Sequence, residues 1–155
     1  DECSGIMYVA KLKITFPCDN PITYETFCEC VGDWAVCMNP GGPGEGCENS
    51  TGAGGALTAS GTYTNTTLNA DNLPLPGTIG LFFVGNTPIG PFHLGDGLRC
   101  VGGDPVRIGI VSTNTGHAHL PIGPSQPGEL YQFWYRDNWG PCNAGFNLTN
   151  GIEIQ

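Results

Sequence analysis

Apolar and polar positions alternate along most of this chain with a period of two. No stretch of ten or more residues carries the period of a helix, so strands are predicted throughout. The longest alternating stretch runs from Ile6 to Phe16, with Ile6, Tyr8, Ala10, Leu12, Ile14 and Phe16 on one face and Lys11 and Lys13 on the other. It reads as one amphipathic strand, longer than the usual five or six residues and in need of a pairing partner. Residues 1–16 are accordingly set apart as an N-terminal segment, and residues 17–155 form a single Cys- and Gly-rich β domain.

Within that domain the pattern predicts strands over residues 24–31, 34–38, 56–64, 66–69, 78–84, 97–101, 106–113, 129–137 and 152–155. The segments 78–84 and 106–113 are the best central strands, and 39–46, rich in Gly and Pro, reads as a loop. Turn signals recur every eight to twelve residues, which predicts an all-β, disulfide-stapled antiparallel sandwich with Greek-key or jelly-roll-like connections. The 25 glycines and 13 prolines read as punctuation between short strands.

Charge narrows the partners. The chain has 14 acidic residues against five basic ones, a net charge of −9, which excludes the basic face that a nucleic acid demands. No apolar run reaches the roughly 18 to 20 residues of a membrane-spanning helix. The start at Asp1 rather than Met is read as the trace of a removed leader.

Eight cysteines, six of them within the first 47 residues, change the picture further, because thiols this dense persist as pairs only in an oxidising compartment. Cys3, Cys18, Cys28, Cys30, Cys37, Cys47, Cys100 and Cys142 are therefore expected in disulfides of an extracellular or cell-surface protein. Their connectivity is open, except that Cys28 and Cys30, one residue apart on a strand, should take different partners. A zinc site from Cys18, Cys28, Cys30 and Cys37 is the alternative, disfavoured by the lack of a Cys-x-x-Cys knuckle, and no cofactor is expected.

Four further groups are candidates for chemistry. The aromatic run 131–139 reads as a core strand covered on both faces, or as a sugar-stacking platform built on Trp134 or Trp139. Arg99, Arg107 and Arg136 lie close in sequence to Asp96, Asp104 and Asp137 and are expected to clamp structure through ion pairs. His117 and His119 have the minimal spacing of a two-histidine metal site, but their turn-like setting favours a solvated loop and no third ligand is evident. Asn49, Asn65 and Asn147 stand in Asn-x-Ser/Thr triplets and are candidates for glycosylation. No nucleophile elbow, zinc-protease motif or phosphate loop is present, and the acidic residues are too scattered in sequence to nominate a carboxylate pair, so an enzyme is not expected.

The strings Gly46-Cys47-Glu48-Asn49-Ser50-Thr51-Gly52-Ala53-Gly54 and Gly95-Asp96-Gly97-Leu98-Arg99-Cys100-Val101-Gly102-Gly103 belong to a longer ordered pattern. They are followed by Tyr131-Gln132-Phe133-Trp134-Tyr135-Arg136-Asp137, Cys142 and Gly145-Phe146-Asn147-Leu148-Thr149-Asn150. Over residues 28–155 this order resembles an uncharacterised domain of secreted proteins from planctomycetes and myxobacteria-like bacteria. The resemblance implies export and no established activity, and residues 1–16 depart from it.

These readings lead to one expectation: a non-catalytic extracellular structural module whose strand 6–16 completes the sheet of a neighbouring copy and so builds a homopolymer. Pairing of that strand within its own domain is the competing reading. A carbohydrate-binding or adhesion module, with a polysaccharide as partner, is the alternative from another class, and a secreted hydrolase comes third.

Overall fold

The computed structural model describes residues 4–9, 12–17, 19–77 and 79–155, and gives only the backbone pairing of the first two segments. The architecture is all-β with antiparallel pairing throughout, as the alternation predicts. A three-stranded sheet is formed by β4 (Ala56–Gly61), β5 (Thr66–Asp71) and β10 (Ala118–Gly123), in the order β10-β5-β4.

The larger sheet contains β3 (Tyr24–Phe27), β6 (Ile79–Gly85), β9 (Val106–Ser112), β11 (Leu130–Asp137), β12 (Gly145–Leu148) and β13 (Gly151–Ile154). Its order is β3-β13-β11-β6-β9, with β12 also paired to β11. The chain crosses from the small sheet to the large one between β5 and β6, and returns between β9 and β10, which makes a sandwich.

Alternation along the central strands builds two cores. On the inner face Phe82 of β6, Tyr131, Phe133 and Tyr135 of β11, and Ile152 and Ile154 of β13 pack against Leu57, Leu68, Ala70 and Ala118 of the small sheet. Phe82 and Phe133 lie with ring centroids 4.3 Å apart. Burial pushes the phenol of Tyr135 well above its ordinary range, outweighing the bond from Asn49. On the outer face Phe83 and Leu130 meet a third layer, the ribbon of β7 (Thr87–Leu94) and β8 (Gly97–Gly102), through Val101 and Leu94.

Buried amides and disulfides fasten that outer layer. Gln132 on β11 donates to the carbonyls of Leu98 and Thr149 at 2.7 and 2.8 Å and accepts from Cys100 N–H. Cys28 pairs with Cys100, Cys30 with Cys47 and Cys37 with Cys142. Cys28 and Cys30 thus take different partners, and neither they nor Cys37 can serve as zinc-ligating thiolates. Cys3 and Cys18 lie outside the described residues.

Three local expectations are corrected. Residues 6–16 are not one strand: β1 (Ser4–Val9) and β2 (Leu12–Pro17) pair with each other as a hairpin, with Met7 opposite Ile14, Tyr8 opposite Lys13 and Val9 opposite Leu12. Cross-strand partners share a face. Positions 6 and 8 therefore group with 13 and 15, while 12, 14 and 16 group with 5, 7 and 9. The face expected to carry Ile6, Tyr8, Leu12, Ile14 and Phe16 together is divided, and Ala10 lies outside the described residues. Residues 34–38 form no strand; a 3-10 turn at Gly32–Trp34 stands there, followed by Cys37 and by Met38 with φ +60°. The strands β7, β10 and β12 were not predicted.

Candidate functional site

The β7–β8 ribbon covers only part of the outer face. Beside it the other part is an open groove of about 470 Å³. Its floor is made by Ile79, Leu81 and Phe83 of β6 and Ile110 of β9, and its wall by Leu94, Trp134 and Leu148. These side chains reach the outer face because β6 and β11 alternate strictly and their inward partners are already committed to the sandwich core. β9 ends the sheet order, so its second edge carries unpaired backbone groups. Ile110, on the floor of the groove, is 67% exposed.

All three arginines gather at this groove. Arg99 and Arg107 line it, and the guanidinium of Arg136 lies over the Trp134 ring, 5.6 Å from its centroid. The clamps expected from Asp96, Asp104 and Asp137 are not formed: among the described residues no arginine makes an ion pair, and Arg99 instead donates to the carbonyl of Val101 at 3.1 Å. Spacing in sequence failed here because successive strand residues face opposite sides, which sends Arg136 outward and Asp137 inward. The groove is therefore cationic at its rim in a chain whose net charge is −9.

Of the two tryptophans expected to stack on sugars, Trp134 is half-buried, with Phe146 5.5 Å from its ring and Arg136 above it. It is a wall of the groove. Trp139 lies beyond β11 in the turn that Cys142 ties to Cys37, and it is 79% exposed.

The sequons divide in the same way. Asn65 is exposed, in the turn between β4 and β5. Asn49 and Asn147 are wholly buried. Asn49 donates its amide to the carbonyl of Asn72 and to the Tyr135 hydroxyl, and Asn147 to the carbonyls of Cys47 and Glu48. The nitrogen that a glycan would occupy is in use.

His117, which follows the 114–116 turn, and His119 of β10 are exposed, and each has its own partner on β5. His117 Nδ1 lies 2.6 Å from Asp71 Oδ1, and His119 Nδ1 lies 2.9 Å from Asn69 Oδ1. Among the described residues no three His, Cys, Asp or Glu side chains cluster as metal ligands.

Sequence reasoning missed the groove itself, since it arises from how far the ribbon extends over the sheet. Comparison with known proteins returns nothing: no family model, curated protein or solved structure matches the chain.

Proposed function

We propose that the chain is a non-catalytic extracellular structural module that polymerises, the β1–β2 hairpin of one copy lying in the outer groove and along the β9 edge of the next. The observation that carries this reading is a half-built outer layer. One two-stranded ribbon, β7–β8, covers part of the large sheet, an apolar groove beside it is uncovered, and the chain holds a second ribbon that pairs with no other strand among the described residues. An added ribbon supplies backbone hydrogen bonds to β9 and apolar side chains to the groove.

The linker favours a neighbour's groove over its own. Only one residue separates the hairpin from Asp19, whose carboxylate accepts the Thr64 hydroxyl at 2.6 Å. Ile22 N–H then bonds Gly61 carbonyl at 3.0 Å, and Pro21 bridges to Thr62. The hairpin base is thus held at the β4–β5 turn, on the small-sheet side of the sandwich, away from the outer face. A hairpin and a groove that are different surfaces of one chain make a heterologous contact, which grows an open filament when it does not close into a ring.

The test is removal of residues 1–18, with light scattering and negative-stain imaging of both forms. Intact chain is expected to form elongated multimers and the truncated chain a folded monomer. Ile110→Asp, which changes an exposed groove residue, is expected to stop assembly without lowering the melting temperature. An intact chain that stays monomeric, or a truncated chain that still polymerises, overturns the proposal.

A second reading, a carbohydrate-binding or adhesion module, is favoured by Trp139 alone, a large exposed indole fixed beside a disulfide. It requires that Trp139→Ala abolish retention on a polysaccharide that binds the native chain.

A further inference from the structure

Asp96, in the turn between β7 and β8, and Asp137, at the end of β11, are 0% and 1% exposed. They converge under Gly140. A Cβ placed on that glycine would lie 2.0 Å from Asp96 Oδ2 and 2.8 Å from Asp137 Oδ2, so position 140 admits no side chain and the two carboxylates are close neighbours.

The donors around them are few. Asp96 Oδ1 accepts Ala144 N–H at 2.8 Å and its Oδ2 accepts Cys142 N–H at 3.2 Å. Asp137 Oδ2 accepts Ser50 N–H at 2.9 Å. Asp137 Oδ1 is buried and has no hydrogen-bond partner among the described residues. No lysine, arginine or histidine pairs with either carboxylate among the described residues; the single ion pair there, His117–Asp71, joins the residue before β10 to β5. Two adjacent carboxylates withdrawn from water repel each other and lose hydration, and three backbone dipoles do not cancel two charges.

We propose that Asp96 and Asp137 hold a hard divalent cation of the calcium class, with the unpartnered Asp137 Oδ1 as a ligand. The donor set selects the class: it is carboxylate oxygen, and the nearest sulfurs, in Cys37–Cys142, are oxidised and not thiolate. Magnesium, which gives up its water reluctantly, suits a buried pair less well than calcium. The cover over the pair is thin, because positions 138, 139, 141, 143 and 144 of the turn are all exposed, which leaves an ion a short way in. Bound there, the cation fastens the turn before β8, the end of β11 and, through Ser50, the 49–52 loop. This site is separate from the proposed assembly groove, and its test reads neither filaments nor glycans.

The experiment uses the full chain dialysed against chelator and then titrated with calcium chloride, with magnesium chloride at equal ionic strength as control. Calcium is expected to raise the melting temperature and magnesium to leave it nearly unchanged. Terbium, a luminescent calcium substitute, is expected to emit when excited through Trp139, two residues from Asp137, and calcium should quench that emission by displacement. Asp137→Asn removes one charge of the pair: it should melt above the native chain in chelator, below it in calcium, and lose the terbium signal. The proposal is overturned if the native chain shows neither a calcium-dependent melting shift nor sensitised terbium emission. It is equally overturned if native chain and Asp137→Asn keep the same order of melting temperature with and without calcium.

Discussion

Asn147 and Asn65 stand in equivalent sequence triplets, yet one amide holds two carbonyls inside the protein and the other faces solvent. Expressed in a glycosylating host, the chain is expected to carry sugar at Asn65 and at neither Asn49 nor Asn147, which intact mass before and after glycosidase treatment reads directly. A second occupied site would contradict the burial. Replacing Asn147 by Ala strands the carbonyl of Cys47 and the N–H of Leu148 and should cost about 1–3 kcal/mol, whereas Asn65→Ala should leave the melting temperature almost unchanged. The triplet alone separates none of these cases, because it specifies what a transferase recognises and says nothing of burial. Gln132 and Asn150 escaped the sequence reading for the same reason. Asn150 both accepts from Leu57 N–H and donates to its carbonyl, copying a strand's hydrogen bonds with a side chain, and no period or motif marks such a residue.

Strands were legible where side chains alternate, and of the three that were missed, β7 and β10 are interrupted by proline while β12 spans only four residues. β6, β9 and β11 match the expected segments closely, since Leu81-Phe82-Phe83 and Tyr131 to Tyr135 present apolar groups to two different layers. β7 contains Pro88 and Pro91, and β10 contains Pro121; both run at sheet edges, where a missing N–H leaves no ladder bond unmade. The groove shares this illegibility, as it depends on the reach of β7–β8 over β6 and β9. Glycine was read as turn punctuation, but Gly80 and Gly151 lie within strands and make room for rings. At Gly80 of β6 a Cβ would fall 2.0 Å from Cζ of Phe133, a buried ring already packed on Phe82 and Tyr135. That ring has nowhere to move, so Gly80→Ala is expected to destabilise the fold by about 1–3 kcal/mol or more, seen as a lower denaturant midpoint. Gly128→Ala is the control for composition, because its Cβ would meet nothing within 4 Å although its φ of +87° disfavours alanine. A smaller loss at Gly80 than at Gly128 would show that strain outweighs the clash.

At the scale of the molecule, the cross-links and the sandwich core occupy different regions. Cys28–Cys100, Cys30–Cys47 and Cys37–Cys142 all tie the irregular stretch 28–54 to itself, to β8 or to the turn after β11, and none crosses between the two sheets. The inner core of Leu57, Leu68, Phe82, Phe133, Tyr135 and Ile152 holds no disulfide among the described residues and rests on burial, with hydrogen bonds from Asn49 to Tyr135 and between Asn150 and Leu57. Sequence separations of 72, 17 and 105 residues mean that each bond restrains a sizeable loop of the unfolded chain, worth roughly 3–5 kcal/mol apiece in the chain-entropy account. Reduction should therefore loosen the protein unevenly. Under reductant at neutral pH, amide hydrogen exchange is expected to accelerate first over residues 28–54 and 97–102, while β5, β6 and β11 keep their protection until global unfolding. The outer ribbon would come away early because, without Cys28–Cys100, its attachment rests on the hydrogen bonds of Gln132 and Asp96 and on the packing of Leu94 and Val101. Assembly should fail in the same interval, since the ribbon walls the groove into which the neighbour's hairpin is placed. Uniform loss of protection would instead mean that the disulfide-bonded region and the sandwich fold as one cooperative unit, with the cross-links supporting both sheets.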